Sequence, residues 1–163
     1  MFYFYYIFMK IQELLQNPKT QQKRVMENLI CHFLDISREE LWTKLDNGID
    51  TNIETKIMQA YDDFVVKKKP LEYVLGYVEF LRNKFKIDER ALIPRPETEY
   101  MIQAVNEHVQ SWKINKPAVL FDIGTWCGVL WLSVLLHNKD FFEKAYLSEY
   151  IEYTLSLARE NYE

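Results

Sequence analysis

Glycine is scarce in this chain. Gly48, Gly76, Gly124 and Gly128 are the only four among 163 residues, where average usage of about 7% would supply roughly eleven. The shortage matters because glycine lets a backbone turn through left-handed conformations and lets a ligand or a second element approach closely. Cysteine is scarcer still: Cys31 and Cys127 stand far apart, with no Cys-x-x-Cys pair. That excludes a disulfide framework and points to the reducing cytoplasm. His32 beside Cys31 has no further ligands at zinc spacing, so no metal site is expected. Positive charge is also in deficit, with 20 Lys and Arg against 24 Asp and Glu and a net charge of -4. This argues against binding nucleic acid through a broad basic surface. Lys67 to Lys69 is the one cationic run, and cations at a helix C-terminus are ordinarily solvated.

The opening "MFYFYYIF" is apolar but far short of the roughly 20 residues of a spanning helix, and it lacks the basic start and cleavage site of a signal peptide. Residues 1–8 therefore read as an extension, with Met9 as an alternative first residue, as a segment packing on the body, or as a membrane contact. No membrane span is expected.

A hydrophobic content of 48% with 27% charged residues fits a soluble globular protein. From Ile11 to about Lys69 the pattern is helical: Val25, Met26, Leu29, Ile30, Phe33 and Leu34 recur at three and four and paint one apolar stripe. Ser37 with Glu40 is a capping-box pair opening another helix, and "NIETKIMQAYDDFVVKKK" carries a third. Pro70 breaks the pattern, and "YVEFLRNKFKID" alternates as a hairpin turning near Arg82 and Asn83. In "ALIPRPETEYMIQAV" Pro96 suits a helix start, and Glu97 and Glu99 suit its positive end.

Residues Ala118 to Leu136, "AVLFDIGTWCGVLWLSVLL", carry the chemistry. Apolar residues run to Asp122, glycines follow where a strand should become a helix, and a second strand, "AYLSE", ends at Glu149, 21 residues beyond Gly128. In a strand, helix, strand unit such an acid lies beside the loop and can bind ribose hydroxyls. If Trp126 and Trp131 were glycine, the line would read with the full G-x-G-x-x-G spacing. The spacing predicts glycine at both positions, and it leaves dinucleotide and S-adenosylmethionine sites equally open.

The flanking motifs decide between them. "PLEYVLGYVEFLRNKFKIDERALIPRPETE", then "DIGTWCG", then "LSEYIEYTLSLAREN" closely resemble the peptide chain release factor glutamine N5-methyltransferases, over Gln21 to Asn161, with "LIPRPETE" the most specific segment. The resemblance implies an α/β chain: an apolar extension at 1–8, a helical release-factor-recognition bundle at 9–69, a β-hairpin connector at 70–93, and at 94–163 the first part of a Rossmann-like class I methyltransferase domain. It implies a cytoplasmic, monomeric enzyme that uses S-adenosyl-L-methionine and takes a release factor as its protein substrate, without binding nucleic acid directly. Gly124, Thr125, Trp126, Cys127 and Gly128 would surround the methionine part of the cofactor, and Glu149, where the family has aspartate, would take the ribose hydroxyls. Arg95 would touch the cofactor or bridge two domains. The family's Asn-Pro-Pro-Tyr loop is not in this chain, so no catalytic residue carries over. The expectation is an inactive fragment, or alternatively a release-factor-binding module with a dead cofactor site.

Overall fold

The computed structural model describes residues 9–111 and 118–163. The reading of residues 1–8 lies outside the described residues, as do residues 112–117. The chain divides into two compact units, Met1–Leu75 and Gly76–Glu163.

The first unit is helical: α1 (Ile11–Leu15), α2 (Lys23–Leu34), α3 (Arg38–Thr43), α4 (Thr51–Val65) and α5 (Leu71–Leu75). The stripe read from sequence on α2 faces inward. Met26, Leu29 and Ile30 are fully buried with Leu14, Leu41 and Ile57, and these form the unit's core. The helix ends are fixed by local chemistry. Asp35 closes α2 in the left-handed conformation at φ 51°, which a short polar side chain tolerates. The Ser37 hydroxyl oxygen accepts the Glu40 amide at 3.1 Å, and the Glu40 carboxylate accepts the Ser37 amide at 2.9 Å. This is the capping box expected from the spacing. Asp50 caps α4 by accepting the Asn52 amide at 2.8 Å.

Helix α4 stops at Val65, short of the cationic run. Pro70 then immediately precedes α5, where its missing N–H costs nothing. Leu71, Val74 and Leu75 of α5 pack on the unit's core.

The second unit opens with an antiparallel hairpin, β1 (Tyr77–Phe80) and β2 (Asn83–Lys86). Its two turn residues are Leu81 and Arg82, at φ 46° and 64°, so the turn falls one residue before the position that alternation suggested. Helix α6 (Glu97–Ser111) starts directly after Pro96. Strand β3 (Ala118–Ile123), helix α7 (Val129–His137), strand β4 (Phe142–Ser148) and helix α8 (Glu152–Tyr162) complete the unit. The two strands pair in parallel, Phe121 beside Tyr146 and Ile123 beside Ser148, and α7 is the crossover that a parallel pair needs. The chain is thus mixed α/β. Among the described residues no helix is long and apolar enough to cross a membrane.

Candidate functional site

The loop from Gly124 to Gly128 joins β3 to α7, and its backbone is unusual. Gly124, Trp126 and Gly128 all have positive φ, at 78°, 50° and 80°. Alternating left-handed residues fold the loop tightly. Both the Gly124 and the Thr125 N–H donate to the Ser148 carbonyl, at 2.7 and 3.1 Å, which ties the loop to the end of β4. Inside the loop the Thr125 hydroxyl donates to the Asp122 carboxylate at 2.7 Å, and the Gly128 N–H donates to the Thr125 carbonyl at 2.8 Å. Asp122 therefore orients the loop from below.

Glu149 lies just past the end of β4, and the fold brings it to this loop. One carboxylate oxygen accepts the Trp126 N–H at 3.0 Å and the other accepts the Ile151 N–H at 3.1 Å. Each oxygen keeps a further acceptor position, so the group can still bind hydroxyls. Cys127 is buried, and desolvation pushes its thiol above the ordinary value. It packs as a neutral thiol, not as a nucleophile.

The glycines differ in what they permit. A Cβ at Gly124 would meet nothing within 4 Å, so the space before the loop's first turn is open. A Cβ at Gly128 would lie 2.8 Å from Nε1 of Trp131 and 3.3 Å from the Ala158 Cβ, closer than side chains pack. Trp131 is 4% exposed, with its ring 5.7 Å from that of Tyr162. With Leu135, Phe142, Leu147, Ala158 and Tyr162 it lines a groove of about 600 Å³ between α7, β4 and α8. Its Nε1 has no hydrogen-bond partner among the described residues. A buried donor left unmet costs about 1–3 kcal/mol.

Two further residues hold the site and carry no spacing signal. The Asn161 side-chain amide donates to the Cys127 carbonyl at 2.8 Å and to the Lys86 carbonyl at 3.0 Å, and its oxygen accepts the Lys86 N–H at 2.6 Å. It clamps loop, hairpin and α8 together. Arg90 donates to Asp88, Ser156 and Glu160, and the Thr154 hydroxyl donates to its carbonyl at 2.7 Å. The only hint in sequence is an asparagine in the last turn of a helix, where it is a poor helix former. Arg95 is exposed, and its carbonyl accepts the Thr98 N–H at 3.0 Å at the start of α6.

Fold and site together define a mixed α/β protein whose β3 to α7 loop meets an acid just past the end of a parallel second strand. Over most of its own length the chain is similar to the release factor glutamine methyltransferases. It is 29% identical over 138 residues to the release factor glutamine methyltransferase of Bacillus cereus, covering 83% of this chain and 47% of that protein. It is 31% identical over 132 residues to that of Thermodesulfovibrio yellowstonii, covering 81% and 46%. With that of Lactococcus lactis it shares 31% over 122 residues, covering 75% and 43%. The chain spans about half the length of these curated relatives. No protein-family model matches it.

Proposed function

We propose that this chain serves S-adenosyl-L-methionine-dependent methylation of a glutamine side chain in a peptide chain release factor. The observation that carries the reading is the Glu149 carboxylate fastened to the Trp126 amide at 3.0 Å, which sets the acid directly against the glycine-bearing loop. The names of the relatives supply the reaction and its substrate. In this reading the second unit contains the opening of a Rossmann-like class I methyltransferase fold, the hairpin connects it to the first unit, and the helices of the first unit form the bundle that meets the release factor. The protein works in the cytoplasm.

The donor set fits the cofactor. Glu149 would accept the two ribose hydroxyls, a bidentate contact that a carboxylate makes well. Gly124, Thr125, Trp126, Cys127 and Gly128 would surround the methionine part, with the open side of Gly124 facing it. When bound, the cofactor supplies an electrophilic sulfonium methyl group. A glutamine amide nitrogen is a poor nucleophile because its lone pair is delocalised into the carbonyl. The rate must therefore come from holding that amide in line and from electrostatics, and this chain's share is to fix one of the two partners rigidly.

Calorimetry with S-adenosylmethionine and S-adenosylhomocysteine tests the reading, on the chain as written and on its Trp126→Gly/Trp131→Gly form. Binding of either ligand to at least one form, with no binding of NAD, is the expected result. If NAD binds in their place, or if neither form binds anything, the cofactor assignment is wrong.

A further inference from the structure

Two side chains at the candidate loop and the helix it opens do not suit their places, one by its backbone and one by its packing, and both are tryptophans. Trp126 sits at φ 50° between Gly124 at 78° and Gly128 at 80°. The loop needs three left-handed residues, and a bulky side chain is an outlier in that region. Its indole is half exposed, at 49%, so burial offsets the strain only in part. Its N–H donates to Glu149 at 3.0 Å, so the indole is attached where the loop meets its acid.

Trp131 is misfit in the opposite way. It is buried, and its Nε1 lacks a partner among the described residues. That atom stands 2.8 Å from where a Cβ on Gly128 would be, beside Ala158 at 3.3 Å. Gly128 and Ala158 make a crossing of small residues, and Trp131 is the bulky member there. Trp42 bears neither mark: it lies in helix α3 with the Lys23 ammonium 5.5 Å from its ring centroid.

Two misfits of one residue type within one loop and the helix it opens point to a cause that precedes folding. The chain as a whole has four glycines among 163 residues, fewer than half of ordinary usage. We propose that positions 126 and 131 are glycine in the protein the cell makes, encoded by UGA. Some bacteria read that codon as glycine, and a widely used alternative translation table reads it as tryptophan. With glycine at both positions, every left-handed residue of the loop lacks a Cβ, the unmet indole donor disappears, and the loop face beside Glu149 is clear for a ligand. The inference stands on loop geometry and composition and holds whether or not the methyltransferase reading does.

Two measurements decide it, and neither needs an activity. Codons 126 and 131 in the gene are expected to be UGA; UGG at either overturns the proposal. In protein purified from its native cells, the tryptic peptide from Ile114 to Lys139 contains both positions. Mass spectrometry should find it at the double-glycine mass, and tryptophan at either position overturns the proposal. A glycine form that binds no S-adenosylmethionine would instead count against the cofactor reading, so the two claims fail separately.

Discussion

Glu149 uses both carboxylate oxygens on backbone amides, one from the loop and one from the start of α8. A single substitution there removes an anchor of the loop and the proposed ribose acceptor together. Glu149→Ala, in the form with glycine at 126 and 131, should weaken S-adenosylmethionine binding by roughly tenfold to a hundredfold, about 1.5–3 kcal/mol of charge-assisted hydrogen bonding. Glu149→Gln keeps one acceptor oxygen and should fall between. Calorimetry measures both, and an unchanged dissociation constant for the alanine form would mean that the acid is not a ligand. This residue was legible in the sequence because a strand, loop, helix, strand unit fixes where its second strand ends. Asn161 was not legible, because its partners Lys86 and Cys127 lie 75 and 34 residues away and no period connects them.

At the scale of elements, the parts read correctly from sequence are those whose causes are local. The capping box of α3 needs only Ser37 and Glu40, and the stripe of α2 needs only a 3.6-residue period. The hairpin turn was misjudged by one residue because Leu81 and Arg82, which adopt its left-handed pair, are not the glycine or asparagine that mark such turns. The left-handed pair is held from a distance: Glu99 of α6 accepts the Leu81 N–H at 3.0 Å. Helix α8 is likewise held through Arg90. The hydrogen bond from Arg90 is the main cause that holds the Glu160 carboxyl below its ordinary value of 4.5. A depressed carboxylate contributes stability that is present above its unfolded value and is lost as pH falls through its folded value. The second unit should therefore lose stability between about pH 5 and the strongly acidic range, and Glu160→Gln should flatten that dependence. Melting temperatures followed from neutral to acidic pH would show it, and parallel curves for both forms would remove Glu160 from the account.

At the scale of the whole molecule, the two units make different demands. The helical unit has a closed core, and its extent is testable. Alternation and Pro70 draw its boundary near Lys69, while Leu71, Val74 and Leu75 pack on its core, each worth roughly 1 kcal/mol at partial burial. Residues 9–75 should accordingly melt above residues 9–69 in circular dichroism, and equal melting temperatures would make α5 dispensable. The sheet of the second unit is open by comparison. Its near-continuous apolar run from Ala118 reads as a strand covered on both faces, yet Val119, Phe121 and Ile123 are 45%, 67% and 85% exposed, and Tyr146 of β4 is 52% exposed. Phe121 and Tyr146 stack on each other with ring centroids 5.1 Å apart, so the exposed face carries an apolar strip beside strand edges that have no partner strand among the described residues. Such strips associate. The chain by itself should bind a hydrophobic dye and self-associate at micromolar concentration. Phe121→Lys with Ile123→Lys should suppress both, because those side chains point away from the packed face and their replacement leaves α7 untouched. Light scattering and dye fluorescence on the two forms give the answer, and association that persists in the lysine form would place the sticky surface elsewhere.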